Sequence, residues 1–429
     1  MDSVQLQIIN GVRQGAVLTG ILAALACSSP AFGDEATISE PADSLANTPS
    51  SLSLRGFGTL GAARSSSDQA EFVRDLSQPK GVTNHWSVQN DSVLGVQANW
   101  QATSSLELVG QVVSRYHYDD SRDPELMWAF AKWDPDASMS FRAGRIGADF
   151  MMLADSRLVG YSYLPVRPSV DFFGPLFFSH FDGADASLTL PLSSGLVRGK
   201  LFAGATHEKA TGAPGVWDTS GSPVAGFVLD YLTGPWQLRA SATSIRFASD
   251  INFTALRNGL ISTTIPSAIA AADLLSTRDT TTWYYSLGAV YDDGPLQVQG
   301  MLNSIRQETA VFQNSHAGYV LAGYRMGEWT PYVGVSWWKS AYKHHSTGLP
   351  DNPGYAVLNQ GFDSVMQASA VDQRTYTLGV RWDLRQDMAL KAQWDAIRGN
   401  ASAHFPFTDV KPGWNGRTNV LSLSLDFVF

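Results

Sequence analysis

The chain has 429 residues, of which 44% are hydrophobic, 11% aromatic and only 16% charged, with 38 Gly, 13 Trp and a single Cys. This much apolar and aromatic side chain excludes disorder over most of the length, one cysteine excludes a disulfide scaffold, and a net charge of −9 excludes the basic footprint of a nucleic-acid binder. The longest apolar stretch, residues 16–27, is shorter than the roughly 20 residues a helix needs to cross a bilayer, so no helical span is expected.

Arg13 supplies a positive start, residues 16–26 an apolar stretch and Ala31-Phe32-Gly33 a small-x-small cleavage site, the pattern of a secretory signal peptide over residues 1–33. Cys27 stands near the place of a lipid-modified cysteine, but Ala24-Leu25-Ala26 puts the Leu one position too late, so cleavage after Gly33 is expected. Residues 34–50, rich in Ser, Pro, Ala and acids and without periodicity, read as a disordered periplasmic lead-in.

From Ser51 to Phe429 the dominant signal is period-two alternation, which a strand shows when lipid lies on one face and water on the other. Leu106, Leu108, Gly110 and Val112 alternate with Glu107, Gln111 and Arg115. Tyr376, Leu378, Val380 and Trp382 alternate with Thr375, Thr377, Arg381 and Asp383, and Leu390, Ala392 and Trp394 with Lys391, Gln393 and Asp395. At the end of the chain Leu421, Leu423, Leu425, Phe427 and Phe429 alternate with Ser422, Ser424 and Asp426. Thr103-Ser104, Pro135-Asp136, Ser193-Ser194-Gly195, Gly234-Pro235, Asp293-Gly294-Pro295, Gly327-Glu328 and Gln386-Asp387 read as tight turns between such strands. Between them lie longer Gly, Pro, Asp and Ser-rich connections at 65–85, 119–124, 147–180, 208–222, 250–280, 309–315, 343–371 and 400–416. Within the fifth, residues 266–275 read as a short helix with Ser267 as a candidate N-cap.

Seven turns alternating with eight loops require sixteen strands, and a hairpin hidden in a long loop would make eighteen. A sheet of that size, apolar on one face and polar on the other, removes its edges by closing on itself. The expected fold is therefore all-β, a transmembrane antiparallel β-barrel over residues 51–429 with both termini on one rim. Trp100, Trp133, Tyr231, Trp236, Tyr291, Trp382, Phe427 and Phe429 cluster near the short-turn ends, and Tyr116, Trp283, Tyr285, Trp337 and Trp338 near the long-loop ends, as two interfacial girdles would.

Four segments carry a family resemblance: Leu54-Arg55-Gly56-Phe57-Gly58, Ser92-Val93-Leu94-Gly95-Val96, Phe141-Arg142-Ala143-Gly144-Arg145 and the terminal Leu425-Asp426-Phe427-Val428-Phe429. With the export signal, they resemble the Gram-negative outer-membrane porins over essentially the whole mature chain. The resemblance implies short periplasmic turns, long extracellular loops, a third long loop folded into the lumen and a homotrimer. It also implies that the terminal Phe429 is read by the barrel-insertion machinery, and that the surroundings are outer-membrane lipid and lipopolysaccharide.

On that resemblance the functional constellation is a constriction, where acids on the inward loop face arginines on the wall and a transverse field orders dipolar solutes. The loop 147–180 offers Asp149, Asp155 and Asp171 with Arg157 and Arg167. Wall candidates are Arg115, Arg142, Arg145, Arg198, Lys200, Arg239, Arg381 and Lys391, with Glu107, Asp383, Asp395 and Asp426 as acids. The wall list is net basic, which leans toward tolerance of anions. Leu176, Phe172, Phe173, Phe177 and Phe178 would fix the loop to the wall or offer a greasy contact to an aromatic solute. The expected function is passive diffusion of small hydrophilic solutes and ions through a water-filled pore. The alternative is a substrate-selective porin for a particular anion, aromatic acid or sugar.

A barrel enzyme or adhesin is disfavoured because no triad spacing appears, and an energised receptor because only residues 34–50 precede the first strand. Gly56-Phe57-Gly58-Thr59-Leu60-Gly61 matches a dinucleotide fingerprint in letters only, since Ala62-Ala63-Arg64-Ser65 is a poor helix start. His344-His345 lacks ligand spacing. No cofactor, metal or catalytic residue is expected.

Overall fold

The computed structural model describes residues 51–429 except 177, 213–214 and 401–405; the signal peptide expected over 1–33 and the lead-in over 34–50 lie outside the described residues. Sixteen antiparallel strands close into one barrel. The first eight are β1 (Ser51–Ser65), β2 (Val93–Gln101), β3 (Leu106–Arg115), β4 (Glu125–Trp133), β5 (Met139–Gly147), β6 (His180–Leu192), β7 (Gly195–Ala205) and β8 (Pro223–Thr233). The second eight are β9 (Trp236–Arg246), β10 (Thr281–Asp293), β11 (Leu296–Gln307), β12 (Ser315–Tyr324), β13 (Trp329–Ser340), β14 (Asp372–Arg385), β15 (Met388–Gly399) and β16 (Arg417–Val428). Each strand pairs with its sequence neighbours, and β1 pairs with β16 from Phe57↔Val428 to Ser65↔Val420 to complete the closure. All seven short turns fall where turn residues interrupt the alternation. The hairpin Lys209–Gly212 with Gly215–Asp218 makes its own two-stranded sheet in the fourth long loop, so the barrel has sixteen strands and not eighteen.

The barrel wears its apolar side outward. Leu52, Leu54, Leu60, Leu201, Leu287, Leu302, Val333 and Leu378 are exposed, while Thr59, Gln97, Gln111, Asp185, Lys200, Asp230 and Asp426 are buried inside. That inverts a water-soluble β-protein and suits a hydrocarbon surround, where every backbone N–H and C=O is satisfied by the closed ladder. No helix among the described residues is long and apolar enough to cross a membrane. Aromatic pairs stand at the short-turn rim, where Trp329 stacks on Trp382 at 4.8 Å and Trp236 lies 4.9 Å from Tyr291.

The loops on the other rim are built, not slack. The short helix α1 (Val170–Phe173) lies in the third loop, α2 (Thr254–Ser262) and α3 (Pro266–Asp273) in the fifth, and α4 (Ala356–Gln367) in the seventh. Pro266 occupies the first turn of α3 and Ile265 its N-cap position, so Ser267 is inside the helix and does not cap it. Leu260, Ala268, Ala271, Ala272, Leu275, Phe362 and Met366 share one apolar cluster, which locks α2, α3 and α4 together. Glu71–Phe72 in the first loop pairs with Phe407–Thr408 in the eighth.

Candidate constriction site

The third long loop, residues 148–179, turns into the barrel. Its root is closed by the backbone bond from Ala148 N to Ser179 O at 2.8 Å. Immediately after the root the chain supplies Phe150, Met151 and Met152, all buried. Phe150 sits 5.5 Å from Phe178, 5.6 Å from Tyr284 and 6.5 Å from Phe202, so the aromatic run packs the loop onto the inner faces of β7 and β10. Phe177 lies outside the described residues.

A charged cluster surrounds the root. Asp149 accepts from Lys200 Nζ, lies 3.8 Å from Arg142 and offers its carbonyl to Arg239 Nη1 at 2.8 Å. Arg142 is held by Asp185 at 3.0 and 3.1 Å, and Arg239 by Asp230 at 2.6 and 3.0 Å. Arg198, directly across from Asp230 in the ladder, also reaches Thr189 Oγ1 at 3.4 Å. Burial raises the Asp149 carboxyl, but Lys200, Arg142 and Arg239 outweigh it and hold the group well below the usual range. Asp155 is pushed the other way, by burial and then by the charge of Asp149. Two carboxylates six residues apart in the loop are thus tuned in opposite directions by their surroundings.

On the far side the loop is sealed to the wall. Lys391, 1% exposed, donates from Nζ to the carbonyls of Gly160 and Tyr163 at 2.7 Å and Pro165 at 3.0 Å, and lies 3.1 Å from Asp426. Arg381 donates to the carbonyls of Tyr161 and Tyr163 at 2.7 and 3.2 Å and pairs with Asp383. Gly160 is required at this approach, because a Cβ there would stand 2.1 Å from Asp426 Oδ1 and 2.3 Å from Thr59 Oγ1. Tyr161 O–H reaches the carbonyl of Gln386 in a short turn at 2.8 Å, so the loop dips to the opposite rim.

The remaining candidates are anchors as well. Arg157 donates to the carbonyls of Leu176 and Phe178 at 3.4 and 3.3 Å and staples the two limbs of the loop. Arg167, 2% exposed, binds Asp91 of the first loop at 2.6 and 2.9 Å, Asp395 at 3.2 Å and Ser422 Oγ at 2.6 Å. Asp171 accepts from Ser336 Oγ at 2.6 Å and from Gln373, and burial raises its carboxyl despite these donors. Arg115 pairs with Glu125 at 3.2 Å and donates to Ser77 Oγ at 2.7 Å. Arg145 is placed differently from the rest. It shares its face with Phe141 and Ala143, pairs with Asp182 at 2.7 Å, and so stands on the outside of the barrel while Arg142 stands inside.

The structure therefore gathers Asp149, Asp155, Arg142 and Arg198 at the root with Lys200, Arg239, Asp185 and Asp230, and disperses the others to the seal, the mouth and the outer face. Asp91, Asp185 and Asp230 were not singled out by sequence, although ladder register with a basic partner strand would have paired Asp230 with Arg239. The first loop was also unforeseen as part of the site. Val73 joins the buried cluster, Arg74 donates to the carbonyl of Arg157 at 2.8 Å, and Leu76 N meets Gly174 O at 3.4 Å, so this loop caps the third from above.

No family model matches the chain, and no curated protein matches it. Solved structures do. The in-vitro folded OmpT, an outer membrane protein of Vibrio cholerae, aligns over 90% of this chain and 100% of its own at 14% identity and a TM-score of 0.51. An anion-selective porin from Comamonas acidovorans aligns over 89% and 100% at 12% identity and 0.51. OmpF of Salmonella typhi, in complex with daunomycin, aligns over 88% and 97% at 11% identity and 0.54. The chain closes sixteen antiparallel strands into one barrel and has the fold of the bacterial outer-membrane porins.

Proposed function

We propose that the protein is an outer-membrane porin that lets small hydrophilic solutes and ions diffuse passively, with its constriction at the root of the third loop. The observation that carries this reading is the lumenal cluster in which Arg142, Arg198, Lys200 and Arg239 stand among Asp149, Asp155, Asp185 and Asp230. Fixed charges of both signs inside a low-dielectric wall set up a local field that biases ions without binding them tightly. Four cations against four carboxylates leave little net charge, so weak ion preference follows. Arg381, Lys391 and Arg167, turned to loop carbonyls and buried carboxylates, hold the loop in place and contribute little to the field that a passing solute meets.

Planar-bilayer conductance of the refolded mature protein in a salt gradient tests the reading. Ohmic steps with a small reversal potential are the expected result, and a folded barrel that never conducts refutes it. A substrate-selective channel is the second reading. It is favoured by a cavity between residues 163–173 and the β11–β15 wall, lined by Tyr163, Phe173 and Tyr319 together with Asp171, Gln299 and Gln373. Aromatic faces beside carboxylate and amides suit a polyhydroxylated or amine-bearing solute better than an anion. Block of the current by one such class at low concentration would move the assignment there.

A homotrimer is part of the proposal, since a trimer form of OmpT from Vibrio cholerae shares the fold. Conductance steps in threes, or a trimer band in unheated gels, would support it. Export by the signal peptide and delivery to the insertion machinery through Phe429 complete the expected route to the outer membrane.

A further inference from the structure

The cavity between residues 163–173 and the β11–β15 wall holds a carboxylate whose charge the fold leaves unanswered. Asp171, 1% exposed, makes no ion pair among the described residues. Its donors are Ser336, Gln373 and Thr375, all neutral. Burial raises the carboxyl in spite of them, and a carboxylate kept from water without a cation is costly. A carboxylate has about four acceptor sites, so these three donors leave one open. The cation nearby in the lining does not fill it, because Arg167 is taken by Asp91 at 2.6 Å and by Asp395 at 3.2 Å.

Two more acceptors in the same lining lack a hydrogen. Gln373 Oε1 and Ser169 Oγ are buried without a partner among the described residues. Beside them the wall is aromatic. The rings of Phe173 and Tyr319 stand 6.2 Å apart with their planes at 52°, and Tyr319 spends its O–H on the sulfur of Met301 at 3.3 Å. Such rings attract an ammonium group electrostatically and cover a hydrocarbon tail. The space is about 720 Å³ with its open mouth included, within the usual size of a small-molecule site. Asp171 and Asp395 in one lining repel an anion, and a neutral polyol would leave Asp171 without a countercharge.

We propose that this cavity binds a primary amine, with the ammonium group on Asp171, Gln373 and Ser169 and an aromatic or hydrocarbon tail against Phe173 and Tyr319. The proposal deepens the substrate-selective reading and rests on it for any part the amine plays in transport. Bound ammonium supplies the countercharge that the fold withholds from Asp171.

Refolded full-length protein in detergent would be titrated calorimetrically with 2-phenylethylamine, with its uncharged N-acetyl derivative and with phenylacetate, which carries the same ring and the opposite charge. The amine should bind, and the other two should bind at least about tenfold more weakly. Asp171→Asn, which keeps the shape and removes the charge, should weaken the amine by a similar factor. Equal binding of the N-acetyl derivative or of phenylacetate, equal binding by Asp171→Asn, or no binding of the amine at millimolar concentration would each overturn the site. The three-ligand comparison is made on the wild type, so it carries the test if Asp171→Asn fails to fold. Bilayer conductance of the same samples separates the readings. Amine that binds without altering the current fails the substrate-selective reading and leaves the site standing, whereas a conducting barrel that ignores the amine fails the site only.

Discussion

Lys391 shows how much a single lumenal residue can control. Its ammonium satisfies three loop carbonyls and the fully buried Asp426 at once. Lys391→Met keeps the apolar stem but leaves that carboxylate without its cation, and breaking one side of a buried pair costs about 3–5 kcal/mol. Residues 160–165 are expected to leave the wall, seen as larger and noisier single-channel currents. Adding Asp426→Asn should recover part of the loss, because the unpaired charge goes with it; unchanged currents in the single variant would contradict the anchoring role. Asp149 and Asp155 offer a contrast of sign. Both Asp→Asn variants remove a lumenal negative charge and should move the reversal potential toward anion preference. Their stabilities should diverge. The depressed Asp149 carboxyl stabilises the fold above the usual carboxylate range and loses that contribution as pH falls. The raised Asp155 carboxyl favours the fold below that range and loses its contribution as pH rises through its folded value. At neutral pH, Asp149→Asn should therefore lower the unfolding temperature in detergent, while Asp155→Asn should leave it unchanged or raise it. The same direction of shift for both would refute the assigned surroundings.

At the scale of elements, the helices α2, α3 and α4 form an apolar unit above the barrel that the ladder does not need. Phe362 is fully buried in that unit. Phe362→Ala leaves a cavity worth about 3–5 kcal/mol, which should release α4 from α2 and α3, so that protease cuts the seventh loop while the barrel keeps its heat-modifiable gel shift. Loss of the gel shift would mean that the loops brace the barrel after all. Strands and turns were legible because a residue two places along a strand returns to the same face, and Gly, Pro, Asp and Ser interrupt that pattern wherever the chain reverses. α4 was not legible, since Gly361 and Asn359 weaken its intrinsic helicity and its stability comes from packing against a loop far away in sequence. Nor was the destination of the third loop. Alternation turns Lys391 inward, but whether it meets water or the carbonyl of Gly160 is decided between residues 231 positions apart. The outward placement of Arg145 is a different case. It stands three positions after Arg142, an odd step along the strand, and alternation alone puts such a pair on opposite faces.

For the whole molecule the decisive step is closure, because β1 and β16 come from the two ends of the described chain and their pairing has the longest sequence separation in the fold. The seam is made by reciprocal backbone bonds between Gly56 and Phe429, at 2.7 and 2.9 Å, and by rings laid across glycines. A Cβ on Gly56 would stand 2.2 Å from Phe429 Cζ, and one on Gly58 would stand 2.4 Å from Phe427 Cζ. The glycines are thus the floor on which the terminal aromatics lie flat, with the two rings 6.3 Å apart and 20° from parallel. Gly56→Val with Gly58→Val would lift both rings into lipid and strain the last ladder bonds. Long-range pairing is the slow part of β-folding, so refolding into detergent micelles should slow markedly in this variant, and the folded fraction should unfold at lower temperature. Phe429→Ala, which keeps the backbone bonds and loses one ring, should show a smaller version of both effects. Because the seam lies on the lipid side, whatever fraction closes should conduct like the wild type. A changed conductance in those closed barrels would mean that the seam also sets the position of the third loop, whose Gly160 rests on Thr59 and Asp426 of the same two strands.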